Sequence, residues 1–179
     1  KIEKVQIGNS VTSIGEDAFY GCSSLKSVYI TDLSAWCKID FGGNTANPLW
    51  CAYTLYLNGT LVTELVIPDS VTSIGERAFE GCSSLTSVTI GKGVTSIGEM
   101  AFDGCSSLTS VTIPDSVTSI GDSAFRYCSS LASVTIPDSV TSIGNWGFSG
   151  CSNLKKIDVN GNNKQYCSID GVLFDKNKT

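Results

Sequence analysis

The sequence predicts a repeat solenoid, mostly of β-structure with short helical or 3₁₀ turns. Its first sign is a cysteine in a constant setting: Cys22, Cys82, Cys105, Cys128 and Cys151 are each followed by Ser, then Ser or Asn, then Leu. The last four recur at equal intervals, which gives a 23-residue period. The other two signs are an alternating apolar pattern and an Ala-Phe pair in successive units. A fixed period of this size marks coils that stack on one another.

Each unit begins with the pattern L-x-x-V-x-I, which we interpret as a strand with one buried face. Its β-branched residues alternate with polar ones, as in Val88 and Ile90. Seven parallel strands of this kind would form a ribbon about 30 Å long. The predicted strands are residues 2–7, 25–30, 62–67, 85–90, 108–113, 131–136 and 154–159.

A turn and a second apolar pair follow the strand. Pro68, Pro114 and Pro137 stand where a strand can stop donating hydrogen bonds to its ladder. The pattern V-x-x-I-G, as in Val94 to Gly98, then returns apolar groups to the core. We expect its glycine to permit a sharp turn at positive φ.

An Ala-Phe pair closes most units. A polar pair separates it from the glycine, as before Ala124-Phe125. We interpret this segment as one helical or 3₁₀ turn that places a phenylalanine inside the coil. Phe79, Phe102 and Phe125 should therefore point into one common interior.

The regular spacing breaks at residues 31–61, an aromatic-rich insertion that makes one unit longer than the others. Asn58-Gly59 tolerates the positive φ of a type I′ turn, so a hairpin should end the insertion. We expect most of its aromatic residues to form a small core, because an isolated hairpin needs packing. Tyr29 and either Trp36 or Trp50 are the aromatic residues expected to stay exposed and serve as interface anchors.

The phrase CSSLTSVTIPDSVTSI, residues 105–120, resembles the leucine-rich repeat, and specifically the BspA-like subclass of surface proteins from host-associated anaerobic bacteria and some parasitic protists. The resemblance covers nearly the whole chain. It implies a right-handed coil with its strands on the concave side, and a role in adhesion or protein binding. We expect residues 1–179 to form a single solenoid, as a segment of a longer protein.

The sequence lacks residues on which several classes of function depend. The chain has no histidine, which removes the Ser-His-Asp and Cys-His nucleophile systems and the commonest zinc ligand. We therefore predict no enzyme activity, no cofactor and no metal. A net charge of −5 opposes binding to nucleic acid, and no apolar run is long enough to insert into a membrane.

The cysteines invite a redox or metal interpretation, but stacked positions about 4.8 Å apart are awkward for disulfides. We interpret the cysteine column as buried, inert thiols. Cys37 and Cys51 share the insertion and are the one plausible disulfide pair; the sequence leaves open whether they are bridged.

Acidic residues also form columns, such as Glu76, Glu99 and Asp122 after the repeat glycine, and Asp69 and Asp115 in the turn. Stacked carboxylates could hold calcium. Lys92 and Asn145 interrupt these columns, however, and no ligand loop surrounds them. We favour a solvated face.

A ladder of hydroxyl groups should face outward from the strands. We call it the hydroxyl strip, and it consists of Ser87, Ser110, Ser133, Thr89, Thr112 and Thr135. It resembles the regular hydroxyl arrays of ice-binding solenoids, but bulky and charged residues at both ends would spoil a flat lattice. We predict instead a protein-binding strip that continues to Tyr29. Asn58 and Asn177 begin glycosylation sequons that matter only in a eukaryotic secretory setting.

The sequence thus predicts a noncatalytic protein-binding or adhesion module of a secreted or cell-surface protein. Its ligand would be a protein or glycan, with host extracellular matrix as one source, bound by the concave hydroxyl strip and by Trp36 and Trp50. The alternative is a structural spacer or stalk that self-associates end to end through open strand edges.

Overall fold

The computed structural model describes residues 1–43 and 45–176 and is a β-solenoid of about seven coils. The solenoid prediction is confirmed. Its elements in chain order are β1 (Lys4–Gln6), β2 (Ser13–Ile14), β3 (Ser27–Ile30), α1 (Leu33–Trp36), β4 (Asp40–Phe41), α2 (Leu49–Ala52), β5 (Leu55–Leu57), β6 (Thr60–Leu61), β7 (Glu64–Val66), β8 (Ser73–Ile74), β9 (Ser87–Thr89), β10 (Ser96–Ile97), β11 (Ser110–Thr112), β12 (Ser119–Ile120), β13 (Ser133–Ile136), β14 (Ser142–Ile143), β15 (Lys156–Val159), β16 (Tyr166–Ile169) and β17 (Val172–Asp175).

The longer strands form the strand row, and all seven predicted strands are present in it as β1, β3, β7, β9, β11, β13 and β15. From β7 onward, paired neighbours lie in parallel at one repeat-length register, so Val88 lies opposite Val111 and Thr89 opposite Thr112. Val88 is buried and Thr89 is exposed, as the alternation requires. The row therefore presents one apolar face to the core and one polar face to solvent.

A second row consists of two-residue strands. β8, β10, β12 and β14 form one parallel sheet in which Ile97 lies opposite Ile74 and Ile120. β2 pairs instead with β4, inside the insertion. The V-x-x-I pattern is thus the inner lining of this second row.

The glycine that ends this pattern is required for space rather than for positive φ, so that part of the prediction is wrong. Gly98 has no positive φ, but a Cβ atom on it would lie 2.7 Å from the backbone nitrogen of Glu76. The positive φ falls two residues later, on Arg77, Met100 and their equivalents. Close stacking of neighbouring backbones is therefore what requires glycine here.

The Ala-Phe segments form the turn row, defined as residues 75–82, 98–105, 121–128 and 144–151. Each resolves into single turns of the 3₁₀ type, such as the bond from the Glu80 N–H to the Arg77 carbonyl at 3.0 Å. The intervening N–H groups bond to the next coil: Phe79 donates to the Ala101 carbonyl at 2.8 Å. Alternate peptide groups thus close turns and join coils.

The phenylalanines of the turn row stack in one interior, as predicted. Ring centroids are 5.3 Å apart for Phe79 and Phe102, 5.3 Å for Phe102 and Phe125, and 5.6 Å for Phe125 and Phe148. The rings are nearly parallel, and the first three are fully buried. This stack is the axis of the core.

The insertion is a coil of the solenoid, not a bulge on it. β5 pairs in parallel with β3, with Leu55 opposite Val28, so a single coil, somewhat longer than the regular ones, separates them. α1 begins at the cap residue Asp32, whose carboxylate accepts the Ser34 N–H at 2.8 Å. The predicted hairpin is confirmed: β5 and β6 are antiparallel and joined by Asn58 and Gly59, both at positive φ.

A second hairpin, β16 and β17, covers the edge of β15. The Ile157 N–H donates to the Gly171 carbonyl at 2.8 Å, and the Ser168 hydroxyl donates to the Ile157 carbonyl at 2.6 Å. The sequon at Asn177 lies outside the described residues. No helix in residues 1–43 and 45–176 has the length and apolar character needed to cross a membrane.

Candidate binding surface

The hydroxyl strip lies on the outer face of the strand row. Thr89, Thr112 and Thr135 are exposed, and the serines beside them are exposed or half-buried. Thr89 and Thr112 lie in register, whereas Thr135 begins the next sheet and lies opposite Asp158. The strip is therefore continuous between the strands of Thr89 and Thr112 and is interrupted before the strand of Thr135.

A stacked tyrosine pair extends the same face toward β1. Tyr29 and Tyr56 lie opposite each other in β3 and β5, with ring centroids 4.6 Å apart and planes inclined by 16°. Both are half-buried. Tyr56 is absent from the sequence prediction because the alignment placed Val66 next to Tyr29. Its signal was present: Leu55-Tyr56-Leu57 repeats the alternation of Val28-Tyr29-Ile30.

Two exposed apolar residues lie between the tyrosines and the strip. Leu61 lies opposite Tyr56 in the hairpin and is 40% exposed. Val66 lies opposite Thr89 in the neighbouring strand and is 65% exposed. The outer face thus changes along the row from aromatic, through aliphatic, to hydroxyl-bearing.

Of the two tryptophans predicted as alternatives, Trp50 is exposed and Trp36 is buried, so the prediction that Trp36 binds a ligand is wrong. Its side chain is 1% exposed, its ring packs edge-on against Phe41, and its indole N–H donates to the Ala78 carbonyl at 2.8 Å. Trp36 joins the insertion to the next coil because a buried carbonyl there needs a donor. It cannot contact a ligand in this fold.

Trp50 is 44% exposed, but it lies away from the hydroxyl strip. Its Cα atom would be 3.3 Å from a Cβ on Gly81, which places it beside the turn row. Tyr20, Tyr127 and Trp146 are further exposed aromatic residues that the sequence analysis did not single out. Tyr127 also lies under the Arg126 guanidinium, 5.0 Å from the ring centroid.

The turn row contains a buried charged cluster that the sequence analysis also missed. Arg77 pairs with Glu80 at 3.2 Å, and Arg126 pairs with Asp103 of the preceding coil at 2.7 Å. Burial raises the pKa of Glu80 to about 7 although Arg77 opposes that shift. Oδ1 of Asp103 is buried without a hydrogen-bond partner, since both Arg126 contacts go to Oδ2. The cluster joins consecutive coils.

The cysteine column consists of free thiols, and those of Cys105, Cys128 and Cys151 hydrogen-bond to the preceding coil. Sγ of Cys105 donates to the Phe79 carbonyl at 3.2 Å, and Sγ of Cys128 to the Phe102 carbonyl at 3.3 Å. Burial raises the pKa of Cys82 to about 11. Thiols with a raised pKa are weak nucleophiles at neutral pH, in agreement with an inert column.

The candidate disulfide between Cys37 and Cys51 is not formed, and both thiols are free. Cys37 is buried at the end of α1, where burial raises its pKa to about 12. Sγ of Cys51 lies 3.6 Å from the Phe19 carbonyl, so it repeats the contact that Cys105 makes with Phe79. Cys51 therefore belongs to the column.

An aspartate from each acidic column joins consecutive coils. Carboxylate oxygens of Asp69 and Asp122 accept backbone N–H groups of the next coil, at 2.7 Å from Lys92 and 2.8 Å from Asn145. The residues that interrupt the acidic columns are therefore their hydrogen-bond donors. Among the described residues, no group of three or more His, Cys, Asp or Glu side chains could hold a metal ion.

Comparisons with known proteins agree with this architecture. The model of the BspA type leucine-rich repeat region matches six copies, over residues 1–38 and 53–178. The unmatched residues between these two ranges, 39–52, fall inside the insertion. No curated protein matches the chain.

Among solved structures, the chain is similar to a leucine-rich cell surface protein of Faecalibacterium prausnitzii, with 37% identity and a TM-score of 0.64 over 98% of this chain. A leucine-rich repeat protein of Bacteroides ovatus has 34% identity and a TM-score of 0.59 over 92%. The pneumococcal vaccine antigen PcpA, at 24% identity and a TM-score of 0.57, supports the fold alone. The chain spans 43% and 39% of the length of the first two proteins. With its repeats matched over most of its length, the chain belongs to the BspA-type leucine-rich repeat family.

Proposed function

We propose that this chain is a noncatalytic protein-binding module of a bacterial cell-surface or secreted protein. Its ligand would contact the outer face of the strand row, from Tyr29 and Tyr56 to Thr135, as the concave side of the repeat. The observation that carries the proposal is the stacked tyrosine pair in line with the hydroxyl strip.

The chemistry of this face suits a protein partner. Tyrosine supplies a large contact area and a polar tip at a low cost in conformational entropy, which is why it recurs at interface hot spots. The serines and threonines supply hydrogen bonds without charge. The strands beneath the tyrosine pair, and those beneath Thr89 and Thr112, are paired in register, so each of these two parts of the face is held rigid before a ligand binds.

Adhesion to host extracellular matrix is the finer form of the proposal, with a protein or glycan of that matrix as ligand. Its support is the resemblance to surface proteins of host-associated bacteria, and the name of the F. prausnitzii relative, a cell surface protein. The net charge of −5 favours matrix components that are not themselves strongly acidic.

Binding of the purified chain to immobilised fibronectin, laminin and collagen, followed by biolayer interferometry, tests the proposal. We expect saturable binding to at least one of them. Tyr56→Ala should weaken it by about 2 kcal/mol, the size of a hot-spot loss, and Thr112→Lys should weaken it by placing a desolvated charge in the interface.

Ser106→Lys is the matched control, because Ser106 is exposed in the same repeat but lies in the turn after Cys105, away from the strip. Equal loss in Ser106→Lys and Thr112→Lys would contradict the proposal. Growth of particle size with concentration in light scattering, with no binding to any matrix protein, would favour the stalk that associates end to end.

A further inference from the structure

The strand row is interrupted between β3 and β7, where the strands β5 and β6 of the insertion lie. In the part of the chain that the structure describes, β6 pairs only with β5, and β7 pairs only with β9. Both are therefore edge strands of their sheets. The gap between them is a depression of about 250 Å³, and we refer to it below as the strand gap.

Backbone groups of β7 point into the strand gap. The Thr63 carbonyl accepts the Thr86 N–H at 2.7 Å, and the Ile67 N–H donates to the Thr89 carbonyl at 2.9 Å, so these odd-numbered residues bond toward β9. Successive peptide groups of a strand face opposite edges. The N–H and C=O groups of Glu64 and Val66 therefore face the gap.

The same alternation holds for β6. The Val62 N–H donates to the Leu55 carbonyl at 2.8 Å, toward the hairpin partner. The backbone of Leu61 consequently faces the strand gap from the other side. Two open edges thus border one depression, and open edges are templates for pairing with an additional chain.

The side chains at the strand gap are mostly apolar. Leu57, Leu61, Leu65 and Val66 line it, and Glu64 is the charged residue among the lining groups. Leu61 and Val66 are both well exposed. Edge strands are usually protected by short length, by proline, by several charges or by a covering loop. β7 is three residues long and carries Glu64 as its charge, and within the described part of the chain it has neither proline nor a bonded strand on this side.

We propose that the strand gap binds an extended peptide segment of a partner protein, which pairs through its backbone with β7 and packs apolar side chains against Leu61 and Val66. An extended polypeptide is the ligand class that carries N–H and C=O groups at the spacing of a strand edge. The site differs from the hydroxyl strip, since it recognises backbone groups at an edge rather than presenting side chains from a face.

This chain itself supplies a probe. The sequence LTSVTI, Leu108–Ile113, contains β11, which pairs in parallel with β9 at the register that β7 also uses. An acetylated and amidated peptide of this sequence should therefore act as an added strand. We expect saturable binding in calorimetry, none by a scrambled peptide, and slower hydrogen exchange of the amides of Leu61, Glu64 and Val66.

Val66→Pro removes one edge donor and should weaken peptide binding about tenfold, which corresponds to the loss of one hydrogen bond. Val66→Thr is the comparison variant: it installs the residue found at Thr89 and Thr112 and keeps the N–H group. Because it replaces part of the apolar contact by a hydroxyl, it should bind the peptide more tightly than Val66→Pro and less tightly than the unaltered chain. Thermal melts of both variants should match that of the unaltered chain to within a few degrees.

No saturable binding of the peptide, or equal binding to Val66→Pro with protection moving to the open edge of β1, would overturn the proposal. Thr112→Lys separates it from the proposed function. Peptide binding that survives Thr112→Lys while matrix binding is lost would confirm two sites, and the reverse result would assign the peptide to the strip.

Discussion

Consecutive coils are joined by different contacts in two regions of the molecule, residues 62–151 and residues 25–61. The first region repeats one regular coil, with one stacked phenylalanine per coil and a charged cluster between coils. The second forms one longer coil, from Val28 to Leu55, and joins it to the next through neutral donors, the Trp36 indole and the Asn47 amide. Regular coils repeat the same contacts from one coil to the next. In the irregular coil, a different side chain donates a hydrogen bond to each buried backbone carbonyl.

The largest expected effect is on the phenylalanine stack. Phe102→Ala should lower the free energy of unfolding by about 3–5 kcal/mol, because its buried ring contacts a ring on each side. Phe19→Ala, in the half-buried first coil, is the comparison and should cost clearly less. Urea unfolding followed by circular dichroism measures both. Equal losses would contradict a larger contribution from the buried and stacked ring.

Glu80 should make the regular region sensitive to pH. Burial raises its pKa in the folded chain to about 7 from 4.5, so its protonated form is favoured by folding. The stability that Glu80 contributes should be fully present below about pH 4.5 and be lost, by about 3 kcal/mol, as the pH rises through 7.

The variant Glu80→Gln should flatten this dependence and be more stable than the unaltered chain at pH 8. Glu76→Gln is the control, since Glu76 is exposed and pairs with the same arginine. Unfolding curves at pH 5 and pH 8 give the comparison. A profile that Glu80→Gln leaves unchanged would show that another group titrates.

The smallest effect concerns the insertion. Trp36→Phe keeps an aromatic ring but removes the donor to the Ala78 carbonyl, leaving it with the longer Asn47 contact at 3.3 Å. We expect a loss of about 1–3 kcal/mol. Trp50→Phe, at a half-exposed site, should change the thermal midpoint little. A neutral Trp36→Phe would mean that the Asn47 amide is a sufficient donor for the Ala78 carbonyl.

The regular coils were predictable because each side chain meets a copy of itself one coil away. The burial of Val88, Ile97 and Phe102 could be predicted from the pattern of one unit, and the same prediction then applied to the equivalent residues of every unit. The candidate surface was predicted in part: Thr89 and Thr112 lie in register as expected. Tyr56 was missed, because what reads in the sequence as a single long step between strands is in fact one longer coil followed by a hairpin.

The sequence by itself determined the period, the inward residues of each coil and the type I′ hairpin at Asn58-Gly59. Repetition, alternation and backbone preference are local properties that can be read along the chain. The burial of Trp36, the stacking of Tyr29 on Tyr56 and the open edges at the strand gap were decided by the tertiary structure. Each of these depends on which coil the insertion packs against, and that contact joins residues with no repeated pattern between them.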